Sequence, residues 1–412
     1  MHQWYHHSEA PQSRSSSDPA LVAKMVIATK AHSGAQLLIR TGRVVLKELP
    51  CGVSRGRDVK LLLNQLLAAP AHWGKEIADA TSLQETTTFG TDIPSPSPSS
   101  SVAFNPEKDI PDLSGKVILV TGGNVGLGLE TILQLSKHNP SRIYLAARTQ
   151  SKAESAIEEI QSKVPNAPIS FLQCDLSSLP SVQKCAQEFK SRETRLDLLI
   201  LNAGVMALPP GTTEQGYEIQ FGTNHVGHAL LTKLLLPTLL TTAEEKDSDV
   251  RVVALSSAGH ALAPSQGIVF EQLKSEMMSY YTFRRYGQSK LANILFAKAL
   301  QKRYGNKGIT AVSVHPGVVN TNLYTPMLGG FGPVGKVVGM TQGFFYTSQQ
   351  DGAKNQLWAA VGNKGTGKGE VSPGEYYCPV GTPGQGTKIS GDEKLADKLW
   401  EWTEKELETY SA

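Results

Sequence analysis

The chain has 412 residues, of which 40% are hydrophobic and 19% are charged, and its formal net charge is +3. This is ordinary globular composition, long enough for one large α/β domain with tails or for two or three average domains. So small a net charge does not indicate a nucleic-acid partner or an anionic membrane surface.

The cysteine pattern and the hydropathy indicate a soluble protein. The four cysteines are widely spaced, without a Cys-x-x-Cys pair or matching His spacing, so we expect reduced thiols and no metal site. The most apolar stretch, residues 230–240, is interrupted by Lys233 and Pro237, which favours a core helix over a membrane span. The N-terminus lacks the basic start and apolar core of a secretory signal. We therefore predict a cytoplasmic protein.

Residues 1–108 are a different kind of sequence from the rest. The stretches 13–18 and 95–101 are rich in Ser or in Ser and Pro and cannot pack a core. Between them, residues 37–46 could form a short strand and residues 59–69 a short helix. We interpret 1–108 as a low-complexity, mostly disordered extension, with a targeting or docking segment as the alternative.

From residue 109 on, predicted strands and helices alternate. Continuous apolar runs such as VILV and LLIL are typical of strands covered on both faces. The predicted strands are residues 116–121, 142–147, 169–174, 196–201, 250–256, 309–315 and 375–379. The predicted helices are residues 126–137, 152–163, 180–190, 220–240, 281–304, 348–361 and 393–410. The alternation predicts one α/β domain over 109–412, a Rossmann-type doubly wound parallel sheet flanked by helices, with ligand at the carboxyl ends of the strands.

The first predicted strand runs directly into a glycine-rich loop that opens the first helix. Glycines allow a tight turn and a close approach of the backbone to a diphosphate, whose charge a helix N-terminus favours. A merely flexible turn is the alternative. The predicted cofactor-binding residues of the loop are Gly122, Asn124, Val125, Gly126, Leu127 and Gly128.

Arg148 follows the second predicted strand, where an NAD-selective site would carry an acid. An Arg suits a ribose 2′-phosphate, so NADP (as NADPH) is favoured and NAD remains possible. An Arg that merely caps the strand is the alternative. A second phosphate-like stretch, residues 362–369, has Gly369 where a Walker loop requires Ser or Thr, and we interpret it as a surface turn.

Tyr286 and Lys290 lie four positions apart in a predicted helix and therefore on the same face. A phenol that ionises near pH ~10 needs a pKa shift of about 3 units, or ~4 kcal/mol, to act as a base near neutrality. One cation about 4 Å away at an effective dielectric of ~20 supplies roughly that amount. With 12 Tyr and 40 Lys+Arg in the chain, about one such pair is expected by chance, so an ordinary helix with an exposed Tyr is the alternative.

Residues 109–412 resemble the short-chain dehydrogenase/reductase family, and within it the branch of retinol dehydrogenases and WW-domain oxidoreductases. Short motifs occur in the order typical of the family. They are TGGNVGLG at 121–128, CDLSS at 174–178, LNAG at 201–204, FGTNHVGH around Asn224, SSAGH at 256–260, YGQSK at 286–290 and HPGVV at 315–319.

The resemblance implies four catalytic residues. Tyr286 would exchange a proton with the substrate oxygen, Lys290 would lower the pKa of Tyr286 and bind the nicotinamide ribose, and Ser257 would hydrogen-bond the same oxygen. Asn224 would bend its helix and hold a water that links Lys290 to solvent. An inserted segment separates Ser257 from Tyr286, so Ser256 is the alternative catalytic serine.

The resemblance also implies further cofactor contacts. Asp175 would accept from the adenine amino group, with a helix-cap or turn acid as the alternative. Small residues after the fourth strand would let the cofactor ribose pass close to the backbone, or would serve the turn alone. Beyond Asp175, the implied contacts are Asn202, Ala203, Gly204, Pro316, Gly317, Val319 and Thr321.

The predicted function is reversible hydride transfer between NADP and a carbonyl or alcohol carbon of a small apolar alcohol, aldehyde or ketone. Residues 322–345, rich in Gly, Phe, Val and Met, would form a substrate lid, with an ordinary surface loop as the alternative. A homo-oligomer is possible. A cofactor-binding sensor or scaffold without chemistry is the rival function.

Overall fold

The computed structural model describes residues 37–40, 43–46, 101–317, 319, 347–367 and 369–410. The chain divides into two units, Met1–Ala69 and Pro70–Ala412. In the first unit, Leu37–Arg40 and Arg43–Leu46 pair as a two-stranded antiparallel hairpin, so the single strand predicted over 37–46 is wrong. The helix predicted at 59–69 lies outside the described residues.

Seven parallel strands form the sheet of the second unit. The strands are β1 Val117–Thr121, β2 Arg142–Ala147, β3 Ile169–Gln173, β4 Leu198–Leu201, β5 Val250–Leu255, β6 Ile309–Val314 and β7 Tyr376–Tyr377. Their order in the sheet is β3-β2-β1-β4-β5-β6-β7. The strands β1, β4 and β5 are buried along their whole length because helices cover both faces of the sheet. The prediction of a doubly wound Rossmann-type sheet is therefore confirmed.

The longer helices fall where the sequence predicts them, and they divide between the two sides of the sheet. The helices are α1 Gly126–Ser136, α2 Gln150–Lys163, α3 Leu179–Arg192, α4 Ile219–Ala243, α5 Thr282–Tyr304, α6 Gln349–Val361 and α7 Glu393–Glu406. One apolar core includes residues of α3, α4, α5 and α7, and the other includes residues of α1, α2 and α6.

The ends of several elements differ from the prediction. The strand β7 has two residues rather than five, and it pairs only with Ser313 and Val314 of β6. It lies at the edge of the sheet, where Pro379, which has no N–H to donate, cannot continue the ladder. Helix α7 ends at Glu406, and residues 408–410 form a separate 3₁₀ turn.

Helix α4 is the one helix in the described part of the chain that is long and apolar enough to cross a membrane. The helix has 25 residues, and its most apolar 18-residue window has a mean hydropathy of 1.2, but 56% of that window is buried inside the domain. Leu230, Leu231, Leu235 and Leu239 are all fully buried in the apolar core. This packing is that of a core helix, as the sequence predicted.

The strand order reverses between β1 and β4, which places their carboxyl ends side by side. In open α/β sheets, ligands bind in the crevice at such a switch point. The loops that follow β1 and β4 therefore define where a ligand would lie.

Candidate active site

The glycine loop after β1 requires glycine for both conformation and space. Gly122 and Gly126 have φ values of 65° and 59°, which favour glycine. A Cβ on Gly122 would lie 3.0 Å from the Cβ of Ala203, and one on Gly128 would collide with the Gly122 carbonyl. Val125 is 44% exposed and, as N-cap of α1, contributes no side-chain hydrogen bond to the helix. The first turn of α1 therefore presents backbone N–H groups to an anion.

The residues after β4 tie its end to the end of β1. The Asn202 amide donates to the carbonyl of Thr121 at 2.9 Å, and the Ala203 N–H donates to Thr121 Oγ1 at 3.0 Å. A Cβ on Gly204 would lie 3.2 Å from both Asn224 Oδ1 and Lys290 Nζ. Asn202 thus serves the turn, while Gly204 brings the backbone close to Lys290.

Arg148 and Asp175 lie at the same edge of the sheet, after β2 and β3. Arg148 is exposed and lies next to the glycine loop, since Gly122 N–H donates to the carbonyl of Ala146 at 2.7 Å. Asp175 Oδ1 accepts from the backbone N–H and the hydroxyl of Ser177, at 2.9 and 2.7 Å. Asp175 therefore does stabilise a turn, the alternative that the sequence left open.

The two serines after β5 have different partners. Ser256 is buried and donates to the carbonyl of Lys290 at 2.7 Å, so it supports the backbone of α5. The hydroxyl of Ser257 accepts from the Gly259 N–H at 3.0 Å and hydrogen-bonds the side chain of Tyr286. The geometry therefore favours Ser257 as the serine that acts with Tyr286.

Tyr286 and Lys290 occupy consecutive turns of α5 and are 6% and 5% exposed. Lys290 Nζ lies 5.9 Å from the centre of the Tyr286 ring and donates to the Leu255 carbonyl at 3.0 Å. Burial raises the pKa of Tyr286 to about 12, against the hydrogen bond with Ser257, and burial lowers the pKa of Lys290 to about 8.

This differs from the sequence argument, which expected a cation about 4 Å away to lower the pKa of the phenol. The loss of solvation on burial is the largest influence on the pKa of the phenol, and it outweighs any effect of the Lys290 ammonium. With only groups of the protein around it, Tyr286 is therefore a protonated phenol at neutral pH. A phenol in this form is a proton donor.

Asn224 lies in a π-helical turn, Gly222–Val226, inside α4. Its fully buried amide accepts from the Val205 N–H at 2.7 Å, donates to the Val205 carbonyl at 2.9 Å and donates to Ser289 Oγ at 2.9 Å. Single π turns inside α-helices are frequent at functional sites. The side chain of Asn224 does not face solvent, because all three contacts are internal.

The residues after β6 reach toward the start of α1. Gly317 has a φ of 88°, and Val319 is buried and pairs with Thr347. A Cβ on Gly352 of α6 would meet side-chain atoms of both Val319 and Leu127, so these two residues lie on the same patch of α6. Thr321 and the segment 322–345, including the predicted lid, lie outside the described residues.

Sequence reasoning missed His260, which fixes the loop that carries Ser257. Its Nδ1–H donates to the Ser257 carbonyl at 2.7 Å, and its Nε2 accepts from the Thr387 N–H at 3.2 Å. The ring also packs edge-on against Tyr376, with 5.0 Å between ring centres. The only sequence signal was its place three residues after Ser257, since Thr387 is distant in the chain.

The described part of the phosphate-like stretch, residues 362–367 and 369, lies in bends and a turn rather than at the start of a helix. The Glu370 carboxylate accepts from the Gly367 N–H at 2.7 Å, and Lys364 pairs with Asp249 at 3.0 Å. An acidic group thus occupies the place that a phosphate would need. Within the described residues, no group of His, Cys, Asp and Glu side chains could hold a metal ion.

These features lie together at the switch point of a Rossmann-type sheet, and comparisons with known proteins give the family of the chain. A family model described as short chain dehydrogenase matches residues 116–328. A short-chain dehydrogenase/reductase of Aspergillus calidoustus is 41% identical over 310 residues, 72% of this chain and 95% of the relative. A chloroplastic short-chain dehydrogenase of Brassica napus, TIC 32 B, is 37% identical over 290 residues, 69% of this chain and 86% of the relative.

A solved structure of an uncharacterized protein from Mycobacterium paratuberculosis is also similar. It is 29% identical, with a TM-score of 0.55, over 72% of this chain and 95% of that chain. The chain belongs to the short-chain dehydrogenase/reductase family, whose members are oxidoreductases that use a nicotinamide cofactor. The retinol-dehydrogenase-like branch stays a prediction.

Proposed function

We propose that the chain is an NADP-preferring reductase that interconverts a carbonyl and an alcohol on a small apolar molecule. The observation that carries the proposal is the buried, protonated Tyr286, hydrogen-bonded to Ser257 and followed one turn later by Lys290. This group lies beside the crevice between β1 and β4. An acid there can donate a proton to the oxygen of a substrate carbonyl while the carbon of that carbonyl contacts the cofactor.

The residues present fit a nicotinamide dinucleotide. Positions 122 and 128 have no room for a Cβ, and the N–H groups at the start of α1 are free of a side-chain cap. The glycine loop would hold the diphosphate, Arg148 the 2′-phosphate, and Asp175 the adenine. The ribose and nicotinamide side would be held by Asn202, Ala203, Gly204, Tyr286, Lys290, Pro316, Gly317, Val319 and Thr321.

The cofactor, when bound, supplies the hydride. In the direction of reduction, Tyr286 donates its phenolic proton to the substrate oxygen, and Ser257 donates a hydrogen bond to the same oxygen. The Lys290 ammonium stabilises the phenolate that remains. Asn224 hydrogen-bonds Val205 and Ser289 near Lys290. A proton from solvent must then replace the proton that Tyr286 has donated.

The preference for NADP rests on Arg148. We expect Arg148→Ala to raise the KM for NADPH by about tenfold or more and to leave the KM for NADH nearly unchanged, since only NADPH carries the 2′-phosphate that a guanidinium binds. The measurement is steady-state kinetics with each cofactor. Lys152→Ala, which removes an exposed cation on α2, is the control. Equal effects of Arg148→Ala on the two cofactors would remove the argument for NADP.

The rival function is a cofactor-binding sensor or scaffold. Purified full-length protein with NADPH and a panel of apolar ketones, aldehydes and quinones separates the two. We expect saturable NADPH oxidation with at least one carbonyl compound. NADPH binding without turnover of any panel member would favour the sensor.

The proposed substrate is apolar, and the proposed location is the cytoplasm. Support for the first is the Gly, Phe, Val and Met composition of residues 322–345, which follow Val319 in the chain. Support for the second is the burial of α4 within the domain. A homo-oligomer remains part of the proposal, and no nucleic-acid partner is proposed.

A further inference from the structure

His228 is a buried histidine on α4, two residues after the π-helical turn that contains Asn224. Only 2% of its surface is exposed, and its ring lies between α4 and the end of β1. Nδ1 is 3.0 Å from the backbone carbonyl oxygen of Asn224, and Nε2 is 2.9 Å from Thr121 Oγ1. The mechanism described above makes no use of this residue.

The partners of the ring determine which nitrogen carries the proton. A carbonyl oxygen can only accept, so Nδ1 is the donor to Asn224. Burial lowers the pKa of His228 to about 4, so the ring is neutral at neutral pH and Nε2 is an acceptor. The Thr121 hydroxyl donates to Nε2 at 2.9 Å rather than to the Ile200 carbonyl, which is 3.5 Å away.

The ring is the middle of a hydrogen-bonded chain that spans the site. At one end, Thr121 Oγ1 accepts from the Ala203 N–H at 3.0 Å, which joins β1 to the turn after β4. At the other end is Asn224, whose side chain holds Val205 and Ser289. Gly204 lies between the two ends, and a Cβ there would be 3.2 Å from Lys290 Nζ.

The Asn224 carbonyl, which accepts from the imidazole, lies in the π turn. In that turn the Gly227 N–H donates to the Gly222 carbonyl, five residues back, and the regular α-helical pattern is displaced. The Asn224 side chain hydrogen-bonds Val205 and Ser289, so it does not hold the backbone carbonyl of Asn224 in place. The imidazole donates to this carbonyl.

We infer that His228 is a positioning residue, whose neutral imidazole fixes the Asn224 carbonyl, and with it Val205 and Ser289, relative to Tyr286 and Lys290. The inference rests on the proposed reductase function. Misplacement of a catalytic group by about 1 Å can cost ~100-fold in rate. Loss of the ring should therefore lower kcat while the residues that bind the cofactor remain in place.

Three substitutions separate the two ends of the ring. In His228→Asn the amide N–H takes the place of Nδ1 and can still donate to Asn224. In His228→Gln the amide oxygen takes the place of Nε2 and can still accept from Thr121. His228→Leu removes both contacts. The control is His225→Leu on the same helix, since His225 Nε2 lies 3.2 Å from Thr403 Oγ1 of α7, away from the site.

We expect His228→Leu and His228→Gln to lower kcat by about 10- to 100-fold, and His228→Asn by no more than about threefold. The Kd for NADPH, from fluorescence titration, should stay within about threefold in all three. His225→Leu should lower the melting temperature without lowering kcat. If His228→Leu does not fold, the contrast between the Asn and Gln variants decides.

Two results would overturn the inference. One is a kcat for His228→Leu equal to that of the wild type. The other is an equal loss of kcat in the Asn and Gln variants that parallels the decrease in their melting temperatures. A wild-type protein that binds NADPH but reduces no carbonyl would instead refute the proposed function. In that case ¹⁵N chemical shifts of the histidine rings still test the ring assignment, which predicts protonated Nδ1 and unprotonated Nε2 for His228.

Discussion

Tyr286→Phe is expected to lower kcat for carbonyl reduction by about three orders of magnitude, the middle of the range for loss of a general acid. The substitution removes only the hydroxyl that contacts Ser257 and leaves the ring in place. The ring packs against Gly259, where an added Cβ would lie 3.0 Å from Tyr286 Cε1. The fold and the affinity for NADPH should therefore survive. Steady-state kinetics and NADPH fluorescence titration measure the two quantities.

The matched control is Tyr376→Phe, which removes the hydroxyl of a second buried tyrosine near the site. Tyr376 packs on His260 rather than on Ser257, so we expect its loss to change kcat by less than about tenfold. A rate close to wild type for Tyr286→Phe would refute the assignment of the acid. A loss of NADPH binding in the same variant would show that the hydroxyl serves the cofactor instead.

The second large effect concerns stability. Arg285, which precedes Tyr286, pairs with Glu218 at 2.8 Å, and their side chains are 1% and 0% exposed. The guanidinium also donates to the carbonyls of Leu208 and Tyr280, at 3.1 and 3.3 Å. Arg285→Met would leave the carboxylate of Glu218 buried without its partner, and breaking a buried ion pair in this way costs about 3–5 kcal/mol.

Burial raises the pKa of Glu218 despite the opposing effect of Arg285, so the carboxyl can take up a proton in the variant. We therefore expect a loss near the lower end of that range, measured as the free energy of unfolding in urea. Arg284→Met is the control, because Arg284 is only half-buried and stacks on Tyr281 at 5.6 Å. Its loss should be about 1 kcal/mol or less. Equal losses in the two variants would contradict a special role for the buried pair.

The sheet and the glycine loop could be predicted because their signals are local. A strand covered on both faces must be apolar throughout, as β1 and β4 are, and a loop without room for a Cβ must have glycine, as at 122 and 128. Ser257 could be placed next to the site but not separated from Ser256. Only the partner of each hydroxyl, Tyr286 or the Lys290 carbonyl, distinguishes the two serines.

Other features depend on contacts between distant parts of the chain. The Arg285–Glu218 pair joins residues 67 positions apart, and His228 meets Thr121 across 107 positions. The protonated state of Tyr286 follows from burial, which overrides the favourable spacing to Lys290. The shortness of β7 follows from its place at the sheet edge, which the apolar pattern of residues 375–379 does not show.

In the proposed reaction, protonated Tyr286, beside charged Lys290, donates the proton in carbonyl reduction. The decisive measurement is the pH dependence of kcat for wild-type reduction with saturating NADPH. Lys290 has a pKa of about 8 and is charged below that value, so kcat should be flat near neutrality and fall as the pH rises through about 8. Far above that pKa the fall should approach about tenfold per pH unit if only the charged form supports the reaction. A kcat that rises through pH 8 would mean that a deprotonated group drives the reaction, and would contradict the claim.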